Sequence, residues 1–181
     1  MGIAVGLIEL KSLARGLMVA DSCLKAAPVD LKIRTTCPGK SLIILTGEIS
    51  AVTSAVEHGV ATGGVTVVNS LILGNLHPGV LPALSGVATA TPKSAMGVLE
   101  TFSVTAAIKA ADTAAKAAIV ELLDIRPAYG LGGKGVVILT GSVGAVQAAV
   151  NAATPPLKEE GELVDAVVIP SPHPELWEQL G

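Results

Sequence analysis

AVGLIELKSLARGLMVADSCLKAAPVDL, residues 4–31, returns without a gap as AMGVLETFSVTAAIKAADTAAKAAIVEL from Ala95. Gly6/Gly97, Glu9/Glu100, Ser12/Ser103, Asp21/Asp112, Lys25/Lys116, Ala26/Ala117, Ala27/Ala118 and Val29/Val120 are identical pairs. After three extra residues in the second copy, GKSLIILTGEISAV (39–52) recurs as GKGVVILTGSVGAV (133–146), and His77-Pro78 recurs as His173-Pro174. So many identities in one order mark an internal duplication. The copies divide the chain into domains 1–90 and 91–181, with the boundary near the Thr/Ala/Pro stretch 88–93.

Each copy carries the same succession of elements. IAVGLIEL is a short apolar strand, and Ser12 is placed to cap the helix after it. In that helix Leu13, Leu17, Ala20 and Leu24 recur at helical spacing, with Arg15, Asp21 and Lys25 off the stripe, and Pro28 closes it. Residues 29–35 and 41–46 read as two strands joined by the loop TCPGK. A second helix over 49–62 and a strand over 65–73 follow, then a short helix after His77-Pro78 with proline at an early helical position. The order β-α-β-β-α-β predicts an α+β fold, a split ferredoxin-like sandwich with helices on an antiparallel sheet, made twice.

Composition fits thin layers. Half of the 181 residues are apolar, yet there is one Phe, one Trp and one Tyr, so the interior is built from Ala, Val, Leu and Ile. Domains this small bury little on their own, which predicts an oligomer. The net charge of −3 comes with scattered basic residues and no Lys/Arg run interleaved with aromatics, which excludes nucleic acid as a partner. The start has no basic n-region, since Glu9 and Lys11 follow the first apolar run. Two cysteines, Cys23 and Cys37, make no disulfide framework and point to a reducing compartment. Mean hydropathy is high, at +0.65. The long uncharged stretches 135–157 and 59–92 are nevertheless broken by Gly, Thr, Asn, Gln and Pro, which argues against a membrane span.

The opening GLIEL (6–10), the helix end DSCLKAAPVDL (21–31), the block GKSLIILTGEISAV (39–52) and the closing VIPSPHPELW (168–177) are similar to the bacterial microcompartment shell proteins. The match is to the tandem-domain class, and the loop TTCPGK (35–40) most resembles the T-type members of propanediol-utilisation compartments. The resemblance implies a structural protein and not an enzyme: a pseudo-hexameric homotrimer, tiling with other shell proteins into a microcompartment shell in the cytoplasm. It further implies that Thr36, Cys37, Pro38 and Gly39 line a pore on the symmetry axis. Lys25 and Lys116, the lysines before Ala-Ala, would sit at the tile edge; read from sequence alone they are solvated helix-end lysines favoured by the dipole. The chain departs from many members at Ser171, where those carry Arg, so edge packing differs there.

Cys37 lies in a Gly/Pro-containing loop, whereas Cys23 falls among apolar helix positions and reads as inert core. One cysteine is a poor metal site, because iron–sulfur clusters take four thiolates. By residues alone Cys37 is an unligated loop thiol, and Lys40 either lowers its pKa from nearby or is solvated. The resemblance adds that T-type members hold a [4Fe–4S] cluster at the matching cysteine, one per trimer. Three thiolates there leave one iron open, for electron transfer across the shell or iron–sulfur delivery, with an encapsulated redox enzyme as a further partner. In the second copy AYGLGGKG replaces the cysteine loop, and its extra residues imply a loop folded away from the axis.

Three motifs carry no chemistry. GLGGKG (130–135) satisfies G-x-G-x-x-G, but a strand follows it where a dinucleotide site needs a helix. Gly39-Lys40-Ser41 lacks the leading glycine of a phosphate loop, since position 34 is Arg. His58, His77 and His173 have no ligand spacing, and the repeated His-Pro predicts a turn or cap. The duplicated Glu9 and Glu100 predict a repeated structural contact. Two alternatives stay open: a shell tile with a plain metabolite pore and free Cys37, and a soluble ferredoxin-like ligand-binding protein or enzyme.

Overall fold

The structure is a computed structural model that describes residues 3–89, 91, 94–128 and 130–180. The stretch 88–93 named as the repeat boundary includes residues 90, 92 and 93, which lie outside the described residues. Two compact units are formed, residues 1–76 with 128–133, and residues 77–127 with 134–181.

The first unit runs β1 (Ala4–Leu10), α1 (Leu13–Ala26), β2 (Asp30–Thr36), β3 (Lys40–Gly47), α2 (Ile49–Gly63) and β4 (Val67–Leu73). The second contains α3 (Val80–Leu84), β5 (Ala95–Thr101), α4 (Val104–Ala117), β6 (Val120–Pro127), β7 (Gly135–Gly141), α5 (Val143–Glu159), β8 (Leu163–Ile169) and α6 (Pro174–Glu178). The sheets have orders β2-β3-β1-β4 and β6-β7-β5-β8, antiparallel throughout, as the split β-α-β-β-α-β reading predicts. Even an irregularity is copied. The ladder to the last strand shifts between Glu9 and Leu10, and again between Glu100 and Thr101.

Strand alternation sets the core. Ala4, Ile8 and Leu10 of β1, with Ile43 and Leu45 of β3, meet Val19, Ala20 and Cys23 of α1 and Val52, Ala55 and Val56 of α2. The layers are close because the contact residues are small. A Cβ at Gly6 would lie 2.4 Å from Val56 Cγ2 of α2, and one at Gly97 would lie 3.0 Å from Val146 Cγ1 and Val150 Cγ2 of α5. Ser12 caps α1 by accepting from the Arg15 amide at 3.3 Å, and Ser103 caps α4 from Ala106 at 3.2 Å.

Three local expectations change. α1 buries Gly16, Val19, Ala20 and Cys23, while Leu13, Leu17 and Leu24 are 40%, 55% and 48% exposed. The apolar and small residues of α1 make two overlapping stripes, and the one with small residues lets the helix approach β3, where a Cβ at Gly16 would meet Ser41 Oγ at 2.1 Å. The strand expected from 65 begins at Val67, because Gly64–Thr66 forms a 3-10 turn. α3 begins after Gly79, so Pro78 precedes it, whereas Pro174 does occupy the first turn of α6. Pro155 and Pro156 lie inside α5. Among the described residues no helix is long and apolar enough to cross a membrane.

Candidate functional site

The loop between β2 and β3 rises from a clamped base. Lys40, the first residue of β3, places Nζ 3.0 Å from Glu9 Oε1. The Glu9 side chain is fully buried on the sheet face opposite the helices, and that of Lys40 is 19% exposed. Lys40 is therefore not a freely solvated loop residue; its charge is compensated by Glu9. The second copy repeats the pair, with Lys134 Nζ 2.7 Å from Glu100 Oε1, so the duplicated glutamates do make a repeated structural contact. Ser41 strengthens the first base by donating to the Ser12 carbonyl at 3.1 Å.

Above the clamp the loop changes character within four residues. Thr36 is buried, and its hydroxyl has no hydrogen-bond partner. Cys37, Pro38 and Gly39 are exposed. The Cys37–Pro38 peptide is cis, and Gly39 turns with φ +72°, a region glycine enters freely. Space on its Cβ side is empty to 4 Å. Thr36, Cys37, Pro38 and Gly39 are thus brought together as one tip with an accessible thiol.

The segment 128–133 lies with the first unit. A Cβ at Gly133 would meet Lys40 Nζ at 3.2 Å, the Cys37 carbonyl at 3.4 Å and Pro38 Cδ at 3.5 Å. The GLGGKG glycines serve this course, with φ of +68°, +62° and +96° at Gly130, Gly132 and Gly133. Sequence reasoning missed this neighbour of Cys37. The run of glycines was the available signal, since it marks backbone that must pass close to something.

The two cysteines differ in chemistry. Cys23 is fully buried, and desolvation pushes its thiol up to about 11, so it stays protonated and inert at neutral pH. Each chain therefore offers a single accessible thiol, Cys37. Among the described residues no group of three His, Cys, Asp or Glu could hold a metal ion. A cluster that needs several thiolates fits only if several copies of the loop converge.

The remaining residues singled out in sequence stand on helix ends. Lys25 Nζ contacts Asp21 Oδ2 at 2.5 Å on α1, and both side chains are largely exposed. Lys116 Nζ contacts Asp112 Oδ2 at 2.6 Å on α4, with the Asp112 side chain 7% exposed. His173 Nδ1 caps α6 by accepting from the Glu175 amide at 3.3 Å, and His77 Nδ1 closes a turn before α3 by accepting from the Gly79 amide at 3.2 Å.

Comparison with known proteins adds the following. The BMC domain family matches residues 4–76 and 95–172. The bacterial microcompartment shell protein PduT of Citrobacter freundii is 42% identical over 181 residues, 99% of this chain and 98% of that protein. PduA of the same organism, also a bacterial microcompartment shell protein, is 42% identical over 83 residues, 45% of this chain and 85% of its own. Among solved structures, a microcompartments protein from Desulfitobacterium hafniense DCB is 45% identical with a TM-score of 0.89, covering 97% of this chain and 98% of that one. The fused permuted hexameric shell protein MSM0275 of the RMM microcompartment is 25% identical with a TM-score of 0.66, covering 87% and 84%.

Proposed function

Because this chain belongs to the BMC-domain family, and so is a structural component of a bacterial microcompartment shell and not an enzyme, we propose that it works as a homotrimeric tile. Three copies of the Cys37 loop meet on its axis. Thr36, Cys37, Pro38 and Gly39 line the aperture there, and three Cys37 thiolates hold one [4Fe–4S] cluster. The cluster would supply one-electron transfer across the shell, to or from an encapsulated redox enzyme. The division 1–90 and 91–181 is the duplication that gives three chains six domain positions, and Lys25 and Lys116 stand at the tile edges, where other shell proteins abut.

One observation carries the reading. Cys37 is the single accessible thiol of the chain, on a tip whose base is clamped by Lys40 and Glu9, while Cys23 is sealed in the core. The clamp lets the thiol be presented without mobile β-strands beneath it. A plain metabolite pore with free Cys37 is the second reading. It is favoured by Cys37 standing exposed as a free thiol, with no group of three His, Cys, Asp or Glu able to hold a metal among the described residues.

Anaerobic purification separates the two. A brown protein with iron and sulfide in a 1:1 ratio, losing both in Cys37→Ser while keeping its solution mass, supports the cluster. Protein that takes up neither iron nor sulfide on anaerobic reconstitution leaves the plain pore.

A further inference from the structure

Both repeats contain the same groove, so each serves as a control for the other. In each unit the second helix of the repeat and the edge strand beside it enclose an open trough, α2 with β4 and α5 with β8. The volumes are alike, about 530 and 520 Å³, and within the range of small-molecule sites. A buried valine stands at the same place in each, Val56 and Val150. The linings nevertheless differ in kind. The first trough is mostly apolar, with Val60, Leu71 and Ile72, and its helix contributes one carboxylate, Glu57.

In the second trough the matching positions turn toward hydrogen bonding. Continuing the match of 39–52 with 133–146 sets Glu57 against Asn151, Val60 against Thr154 and Gly64 against Lys158. Strand register sets Asn69 against Asp165. Gln147, Asn151, Thr154 and Lys158 recur at helical spacing, so they share one flank of α5 and run for about 16 Å along it. Gln147 Nε2 donates to Asn151 Oδ1 at 2.9 Å, which leaves the side-chain oxygen of Gln147 and the amino group of Asn151 for a ligand. Thr154 Oγ1 donates to the Val150 carbonyl at 2.7 Å and keeps its lone pairs. Lys158 stands exposed at the end of the row, and among the described residues its ammonium has no carboxylate partner. Across the trough, the Ala166 amide of the edge strand β8 is already taken by Asp165 Oδ1 at 2.8 Å. That plug closes the edge to an added peptide strand, so the trough suits a small molecule.

We propose that the trough between α5 and β8 binds a small polyhydroxylated organic anion, with Lys158 on its carboxylate or phosphate and Gln147, Asn151, Thr154 and Asp165 on its hydroxyl groups. A hydroxyl both donates and accepts, which matches a row of amide, hydroxyl and carboxylate groups. Hydrogen bonds from an ammonium to an oxyanion are stronger than neutral ones, so Lys158 is the anchor. Asn151, in place of the Glu57 carboxylate, removes from the helix side the charge that would repel an anion. Asp165 keeps its second oxygen to accept from a hydroxyl at the strand side. This site lies apart from the Cys37 tip in sequence and stands whether or not Cys37 carries a cluster.

The test titrates the full chain with gluconate, a sugar carboxylate, and glucose 6-phosphate, a sugar phosphate, beside uncharged sorbitol, with calorimetry and hydrogen exchange as readouts. At least one anion should bind about 10-fold or more tightly than sorbitol and protect amides of 147–158 while leaving 53–64 unchanged. Which of the two binds separates carboxylate from phosphate recognition. Lys158→Gln should weaken binding by about 10-fold, and Asn151→Glu, which restores the carboxylate of the first trough, by about 100-fold. Both positions are exposed, and circular dichroism checks that the variants keep the fold. Glu57→Asn, in the first trough, should leave binding as it was. Failure of both anions to bind, sorbitol binding as tightly as they do, or full affinity retained in both Lys158→Gln and Asn151→Glu overturns the site.

Discussion

The loop after β2 and the loop after β6 leave from the same foundation and finish differently. Beneath both, a glutamate of the central strand meets the lysine that opens the next strand, Glu9 with Lys40 and Glu100 with Lys134. Above them one copy presents an exposed Cys-Pro-Gly tip, and the other runs a longer glycine-rich course against that tip. The copies agree where the sheet must be held and disagree where a surface is offered. Divergence within one chain therefore marks the candidate site more sharply than any single motif does.

The comparison breaks most visibly at the clamps. Glu9 is wholly buried, so Glu9→Ala strands the Lys40 ammonium and should cost about 3 kcal/mol. Glu100 and Lys134 are 28% and 41% exposed, so Glu100→Ala should cost under about 1 kcal/mol. Hydrogen exchange of the β1–β3 and β5–β7 amides reads each sheet separately; equal losses would mean that the clamps are equivalent after all.

A smaller effect separates the cores. Cys23 faces α2 in the first unit, where the second has Ala114. Its folded thiol titrates near 11 against 9.0 for an unperturbed one. Above pH 9 the unfolded chain releases this proton while the folded chain retains it, so stability is complete below pH 9 and falls as pH rises toward 11. The loss should reach about 2 kcal/mol in the first unit. Cys23→Ala should remove the pH dependence, and exchange measured at pH 8 and pH 10.5 checks it.

The smallest effects sharpen the contrast between the tips. Gly39→Ala and Gly133→Ala both place a side chain at positive φ, at about 1 kcal/mol each. Gly39 opens on empty space, whereas the Gly133 Cβ would press on Lys40 and the Cys37 carbonyl. Only Gly133→Ala should change the rate at which Cys37 is alkylated by iodoacetamide.

The β-α-β-β-α-β order, the serine caps and the buried Cys23 were legible because each depends on near neighbours in sequence, and the repeat stated them twice. Lys40 was not assigned to Glu9, because that contact arises from strand register: Glu9 faces Leu42, and Lys40 lies two residues away on the same sheet face. The outer leucines of α1 were misplaced for a related reason. Periodicity says that a helix has an apolar side, but Gly16, Val19, Ala20 and Cys23 win the sheet by being small. The course of 128–133 beside Cys37 depends on tertiary packing, which a glycine run can only hint at.

With Lys40 and Lys134 fixed by their glutamates, strand pairing is insulated from whatever lies beyond. Ile33 pairs with Ile43 and Ile125 with Val137, although the second connection is longer. A scaffold arranged in this way can exchange tip sequences as interchangeable modules, altering length and chemistry while the ladder below keeps its registration. An inserted peptide between residues 36 and 40 should therefore be accommodated as readily as evolution accommodated the longer version in the sister repeat.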